Sequence, residues 1–370
     1  MTTIVQVAHI TRIPGPVQSL GRFLKQKKEI TCYQILHPLD NSLFYSALVK
    51  KDKEIVKKKR IALGPKKYFI SFFLTLKWLK KLPKKIDLAI GMNCFDTLAL
   101  LTAKKLKLKK IDQIVFFNTD FSRKRFTNTL LNSLYINIDK FAAKSADFLC
   151  CNTKRTIKAR IKEGIGKEKI IYTPNGVFLK EIGPIKKNKT YQPQLVYVGH
   201  LAAGHDLPQA IRALKNTKLK LIIIGSGPEE NSLKLLVKKQ KLEKQVSFLG
   251  FMDHQKVINF LKNFSGFGLA PYSKNHDWTY YADPVKIKEY LACLVPPITT
   301  DTTEISQIIK KNNLGFVYQK NLKKVFQKIA SLENRQYQKI VESIEKHQKD
   351  FDYQKIYLSI VFVINRRNNE

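Results

Sequence analysis

Asp283, Lys286 and Glu289 stand three residues apart in the stretch Tyr-Ala-Asp-Pro-Val-Lys-Ile-Lys-Glu-Tyr-Leu-Ala, Tyr281–Ala292. That spacing would put a cation and a carboxylate on the opening turns of one helix. Asp is a favoured N-cap and Pro a favoured first helical residue, so a helix is expected to begin at Asp283-Pro284 with its unpaired N–H groups facing outward. Such an end attracts phosphate. Lys286 in the first turn would add a full positive charge, and Glu289, one turn on, could accept two hydroxyl hydrogen bonds from a ribose. The plainer alternative is an ordinary capped amphipathic helix whose Lys and Glu are solvated. The surrounding elements bear on that choice.

Upstream, Gln194–Gly199 is an apolar strand ending in glycine, and Leu219–Gly227 repeats the arrangement as Leu-Lys-Leu-Ile-Ile-Ile-Gly-Ser-Gly. Gln245–Gly250 and Gly266–Pro271 supply two more strands before the Asp283 helix. Between them, Leu207–Leu214 and Pro228–Lys241 carry apolar residues at spacings near three and four, which is the helical period. Strands alternating with helices, with nearly every strand residue apolar, predict a parallel sheet covered on both faces. Sheets of this kind bind ligands at the carboxyl edge of their strands. Gly199, Gly225, Gly227 and Gly250 all fall at that edge.

The order of these landmarks resembles the donor half of GT-B glycosyltransferases, in the group containing glycosyltransferase family four, over residues 173–318. Thr173-Pro174-Asn175-Gly176-Val177 is similar to the family's interdomain turn, and Tyr197-Val198-Gly199 to the strand that opens its second domain. Ile224-Gly225-Ser226-Gly227-Pro228, Val246-Ser247-Phe248-Leu249-Gly250, the Asp-Pro-x-Lys-x-x-Glu-Tyr helix and Pro296-Pro297-Ile298 follow in order. The resemblance implies an α/β chain with two Rossmann-like domains facing a central cleft. It implies transfer of a sugar from a nucleotide diphosphate, UDP favoured and GDP open, to a hydroxyl acceptor in cell-surface polysaccharide or glycolipid assembly. No cofactor is implied beyond the nucleotide-sugar co-substrate. Matching positions place the nucleobase at Gly250, Phe251 and Met252, the ribose on Glu289, and the diphosphate on Lys286 and the helix start. The chain departs from the family where Arg often follows Val-Gly: His200 stands there, either as a phosphate contact or in a structural role. His205 is a weaker candidate of the same kind.

The first half reads as a second α/β domain. Ile4–His9 is a strand, followed by Arg12-Ile13-Pro14-Gly15-Pro16 and an amphipathic helix over about 17–27. Gly15 permits close approach of a ligand. In the family that loop faces the donor diphosphate and the next helix seats the acceptor, which makes Gln18 and Arg22 acceptor-side candidates. Apolar runs at Ile86–Ile90, Ile111–Phe117 and Phe148–Cys151 continue the sheet, and Tyr135–Asp147 resembles the family's helix before the last strand. Asp120, after Phe116-Phe117-Asn118-Thr119, is the leading catalytic candidate, with His9 at its strand end the second. A base there would give inversion, and in a retaining enzyme the same carboxylate would orient the sugars. The alternative for Asp120 is a helix cap before Phe121–Leu131. Transfer by this scheme needs no metal, since a helix dipole and Lys can stabilise diphosphate charge.

Three segments are expected: an acceptor-side domain over 1–185, a donor-binding domain over 191–345, and a helix over 346–370 crossing back to the first. The boundary stretch is Glu181–Pro193, rich in Lys, Pro and polar residues. The chain has 370 residues, a 44% hydrophobic fraction and a net charge of +38. Residues 1–190 hold 40 Lys and Arg against 13 Asp and Glu, so most of the excess is in the first half. Such a field attracts anionic membranes, nucleic acid or acidic glycans. Tyr68, Phe69, Phe72, Phe73, Leu76, Trp78 and Leu79 are interleaved with lysines over Lys66–Lys85. That pattern fits either an interfacial stretch serving a lipid-linked acceptor or a core-facing helix with solvated lysines. A basic nucleic-acid-binding protein is the alternative from another class, though no recognition motif supports it; a GT-B isomerase or hydrolase is a third. No run of about 18 apolar residues and no secretory signal are found, so a cytoplasmic location, peripheral on the inner membrane face, is expected. The five cysteines lack metal-ligand spacing and read as reduced core residues.

Overall fold

The computed structural model describes residues 1–11, 15–39, 45–51, 53–59, 66–185 and 190–366. Arg12, Ile13 and Pro14 of the first loop lie outside the described residues, as does part of the expected 181–193 boundary. The chain divides into two compact units. One is Met1–Pro174 together with the chain from Ile356; the other is Asn175–Lys355. The division thus falls ahead of the expected boundary stretch.

The first unit runs β1 (Thr2–Ile10), α1 (Pro16–Lys25), β2 (Ile30–Pro38), β3 (Tyr45–Lys50), β4 (Lys53–Lys59), α2 (Lys66–Leu79), β5 (Lys85–Gly91), α3 (Cys94–Lys105), β6 (Lys110–Asn118), α4 (Thr129–Ser145), β7 (Phe148–Cys151), α5 (Lys154–Lys162) and β8 (Ile170–Tyr172). Its sheet has the order β4-β3-β2-β1-β5-β6-β7-β8. Every pairing is parallel except β2–β3 and β3–β4. The central strands are buried on both faces, which is why they read as uninterrupted apolar runs. The antiparallel β3–β4 extension was not expected, because its strands alternate weakly and β4 is mostly lysine. Charge on an edge strand discourages further pairing.

Near the carboxyl end of β6 lies a buried polar knot. Arg160 is fully buried; its guanidinium donates to Asp139 at 2.5 and 3.0 Å, to Glu163 at 3.0 Å and to Asn118 at 3.0 Å. It ties α4 and α5 to the end of β6. Removing one member of such a group would leave an uncompensated buried charge.

The second unit runs α6 (Leu179–Ile182), β9 (Gln194–Val198), α7 (Leu207–Ala213), β10 (Lys220–Ile224), α8 (Glu230–Lys239), β11 (Val246–Gly250), α9 (His254–Asn263), β12 (Phe267–Ala270), α10 (Asp277–Tyr281), α11 (Val285–Ala292), β13 (Pro297–Thr300), α12 (Ile305–Lys311), β14 (Phe316–Tyr318), α13 (Leu322–Ala330) and α14 (Asn334–His347). Its strands form an all-parallel sheet, β11-β10-β9-β12-β13-β14. The order reverses between β9 and β12, which places a crevice at the carboxyl ends of those two strands. The four strands expected from Gln194 to Pro271 are present, three of them within a residue of their bounds, while β10 ends at Ile224, three residues before Gly227.

The last helix, α15 (Tyr353–Arg366), begins in the second unit and continues in the first. At its start Val177 donates to Phe351 O at 2.9 Å and Tyr353 donates to Val177 O at 2.8 Å. One turn later Tyr357 is 1% exposed, with its ring 5.4 Å from Phe23 and 6.4 Å from Phe117.

Candidate functional site: a phosphate cradle in the second unit

The crevice of the second sheet is built by two glycine turns laced to each other. Gly199, after β9, donates to Ile224 O at 3.0 Å; Gly225, after β10, donates to Gly250 O at 2.7 Å; and Leu201 donates to Ser226 O at 3.0 Å. Gly199 and Gly225 have φ of 143° and 141°. A Cβ on Gly225 would lie 1.9 Å from Gly199 O, so only glycine lets the turns close. Gly227 packs as tightly, since its added Cβ would meet Leu201 O at 2.4 Å. His200 sits on the outer side of the same lacing, with Nδ1 2.9 Å from Ser226 O. Of the two readings left open for it, this bond supplies a structural role.

Helix α11 is seated by Tyr290. Its hydroxyl accepts from Val198 N at 2.9 Å, and its ring fills the space that Gly268 leaves by lacking a side chain. That anchoring brings Lys286 under the first glycine turn. The Lys286 Nζ is fully covered, has no hydrogen-bond partner, and lies 4.2 Å from the Tyr197 ring and 5.6 Å from the Tyr272 ring. A Cβ on Gly199 would sit 2.8 Å from it. Desolvation lowers its pKa to about 7, opposed by the nearby Glu289 carboxylate. An ammonium without a partner in an apolar setting is expensive. An arriving anion would relieve that cost.

Glu289 faces the same region and is 14% exposed in its side chain, 2.7 Å from His254 Nε2. His254 opens α9, four residues after Gly250, and the sequence reading passed over it. Gly250 has φ of 68° with open space where a Cβ would stand, Phe251 is exposed, and Met252 packs against the core. His205, buried among the rings of Tyr197, Tyr272 and Trp278, is held neutral by burial and by Lys286, its pKa lowered to about 2.

Asp283 is a correction. The helix starts at Val285 with Pro284 as N-cap and no side-chain cap bond. The Asp283 carboxylate instead accepts from Asn175 N at 2.6 Å and pairs with the buried Lys288 Nζ at 2.8 Å. It is a structural clamp holding the start of α11 to the Asn175 turn. Asn175 Nδ2 returns a bond to Asp283 O at 2.6 Å.

In the first unit, Asp120 lies near the surface. Its carboxylate is mostly exposed and ion-paired with Arg125, which occupies it with a surface partner. No helix follows it directly either: α4 begins at Thr129, capped by Asn128. His9 is placed differently. Its Nδ1 is 2.9 Å from Asp96 Oδ1, and the other Asp96 oxygen accepts from Asn93 Nδ2 at 2.7 Å. A carboxylate only accepts, so Nδ1 is the nitrogen that donates to Asp96, and Nε2 is the ring nitrogen left for another partner. That Nε2 is buried without a hydrogen-bond partner. Asp96 was missed, although Asn93-Cys94-Phe95-Asp96 following a strand is a legible helix start. Gln18 accepts from Gly15 N at 3.0 Å and donates to Thr11 O at 3.0 Å, which tightens the first turn of α1; Arg22 lies half-buried further along. Among the described residues no cluster of His, Cys, Asp or Glu could hold a metal ion.

Residues 180–351 match the sequence profile described as glycosyl transferases group 1. The match covers most of the second unit and just under half of the chain, so it is that unit which is similar to group 1 glycosyl transferases. Solved structures agree on the fold. Sucrose-phosphate synthase from Thermosynechococcus elongatus aligns over all of both chains with TM-score 0.76 and 14% identity. HepE of Anabaena, in complex with UDP, aligns over 99% of this chain and 100% of its own, with TM-score 0.73 and 11% identity. WaaG, a glycosyltransferase involved in lipopolysaccharide biosynthesis, aligns over 98% and 99%, with TM-score 0.69 and 15% identity. These likenesses show that the chain has the GT-B fold of two Rossmann-like domains. A search of curated proteins finds no match. The nucleic-acid reading is not favoured by these matches.

Proposed function

We propose that this protein is a glycosyltransferase that takes a UDP-hexose donor and a hydroxyl acceptor on a lipid-linked glycan or glycolipid, working at an anionic membrane face in cell-surface assembly. The observation that carries the donor reading is the covered, unpartnered Lys286 ammonium beneath the Gly199 and Gly225 turns. In this reading the diphosphate meets Lys286 and the turn amides, Glu289 takes the ribose hydroxyls while His254 holds it in place, and the base lies along Gly250–Met252. The leaving diphosphate then keeps a fixed cation as its charge grows, which favours departure. HepE in complex with UDP-glucose supports UDP as the nucleotide. Among the described residues no helix is long and apolar enough to cross a membrane.

On the acceptor side His9 replaces Asp120 as the proposed proton acceptor. Asp96 orients the ring and stabilises the imidazolium that forms. Substituting His9 by Ala is expected to lower kcat by about a hundredfold or more, in the range of general-base catalysis, with donor affinity unchanged. Asp120→Asn should leave turnover within about twofold, as for a surface ion pair.

A thermal-shift series with UDP, UDP-glucose and a GDP-sugar on wild type, Lys286→Met and Glu289→Ala tests the donor site. A ligand at 100 times its Kd stabilises by about 2.7 kcal/mol. Wild type should shift with the uridine ligands and the two variants much less. No shift of wild type with any nucleotide would overturn the reading.

A further inference from the structure

Helix α2 divides its aromatic stretch between core and surface. Leu74, Trp78 and Leu79 are in the core, whereas Phe69 and Phe73 are 69% and 52% exposed. Across from them α4 exposes Leu130, Leu131 and Leu134. Between the two helices runs a groove of about 660 Å³, floored by Phe95 and Leu98 of α3. Its rings form a continuous path: Tyr68 stacks on Phe95 at 4.8 Å, Phe95 lies 6.2 Å from Tyr135, and Tyr135 lies 5.7 Å from Phe126. Among the described residues of the lining Lys67 is the one charged group and no Asp or Glu occurs. Arg125, which is ion-paired with Asp120, stands at the Tyr135 end, 6.0 Å from that ring. The Tyr68 ring is also 5.1 Å from His9.

We propose that this groove receives the hydrocarbon chain of an anionic lipid, with its phosphate toward Lys67 and Arg125 and its head toward His9. The inference deepens the lipid-acceptor reading above and rests on it for the role of the chain. Three features commit the groove to that occupant. Its volume lies within the roughly 300–1,000 Å³ of pockets that enclose small ligands. Large apolar side chains crown its mouth, where a soluble protein would otherwise present polar groups. The surrounding unit carries a strong positive excess that complements a phosphate and an anionic lipid surface.

The test uses octyl, decyl and dodecyl phosphate below their micelle-forming concentrations, titrated calorimetrically into the full chain, with inorganic phosphate as control. Each added pair of methylenes should tighten binding about tenfold, as expected for chain burial. Phe73→Glu and Leu134→Glu, both at exposed positions, should abolish that dependence on length while UDP binding stays at the wild-type value and reports folding. The same length dependence in both variants overturns the proposal, as does wild-type binding no tighter than that of inorganic phosphate. A dimer that Leu134→Glu dissociates, without alkyl phosphate binding, overturns it in favour of an interface between copies. Alkyl phosphate binding in a protein that ignores every nucleotide supports the groove and overturns the donor reading alone.

Discussion

A single amine sets the expected pH behaviour of the proposed donor site. In the free protein burial holds the Lys286 pKa to about 7, below the ordinary lysine value. A bound diphosphate favours the charged form and raises that pKa. The free protein therefore becomes neutral at Lys286 above about pH 7, and nucleotide binding must then take up a proton. UDP affinity should fall as pH rises above 7, by up to about tenfold per unit, and flatten below it. Calorimetry in buffers of different ionisation enthalpy measures the proton directly; a pH-independent Kd with no proton uptake would show that Lys286 does not meet the phosphate. At this scale the sequence offered candidate groups without their company. The spacing placed Lys286 and Glu289 on one helix, and the order of the surrounding strands and glycines singled that helix out. Tyr197 over the amine, His254 beside the carboxylate and Asp96 behind His9 were not, because each comes from a separate strand or helix and their meeting depends on sheet order.

The helix that carries Lys286 is held at its start by a buried ion pair rather than by a cap. Asp283 and Lys288 are both nearly inaccessible, with Lys288 also 5.1 Å from the Phe351 ring. Removing only the carboxylate leaves a buried ammonium, so Asp283→Ala should cost about 3–5 kcal/mol in urea unfolding. Adding Lys288→Met should recover much of that loss. A loss of under about 1 kcal/mol, as for a simple cap, would contradict the clamp. Gly225→Ala forces both a forbidden backbone conformation and a clash with Gly199 O, and should destabilise by more than about 3 kcal/mol by the same measurement. Elements were read well where apolar period and glycine punctuation agreed, as in β9, β10 and β11. Asp283 misled because Asp before Pro carries the N-cap pattern whether its side chain turns to its own helix or, as here, to Asn175 and a lysine further along the same helix.

For the chain as a whole, charge and connectivity lead to separate expectations. The excess of cations in residues 1–190 predicts co-sedimentation with vesicles containing anionic lipid, lost as salt rises from about 0.05 to 0.5 M, as for attraction beyond a Debye length. Equal binding to neutral vesicles would remove the electrostatic part. Ending the chain at Asp350 removes Phe351, Tyr353, Tyr357 and Ile360, all buried. Each such side chain contributes about 1.5–3 kcal/mol by burial, and their sum is comparable with the whole stability of a typical domain. The truncated chain should be insoluble or melt far below wild type, and an unchanged melting temperature would contradict the importance of α15.

The route of the polypeptide also orders its birth. Because Tyr357 fills the interior of the unit that begins at Met1, that unit lacks part of its core throughout the synthesis of Asn175–Lys355. The second unit can complete its sheet on the ribosome first, while the earlier-made unit waits for residues encoded some 180 codons later. Nascent chains stalled at successive lengths should therefore gain protease resistance in the second unit before the first, a reversal of the N-terminal-first order usual for chains whose domains follow one another.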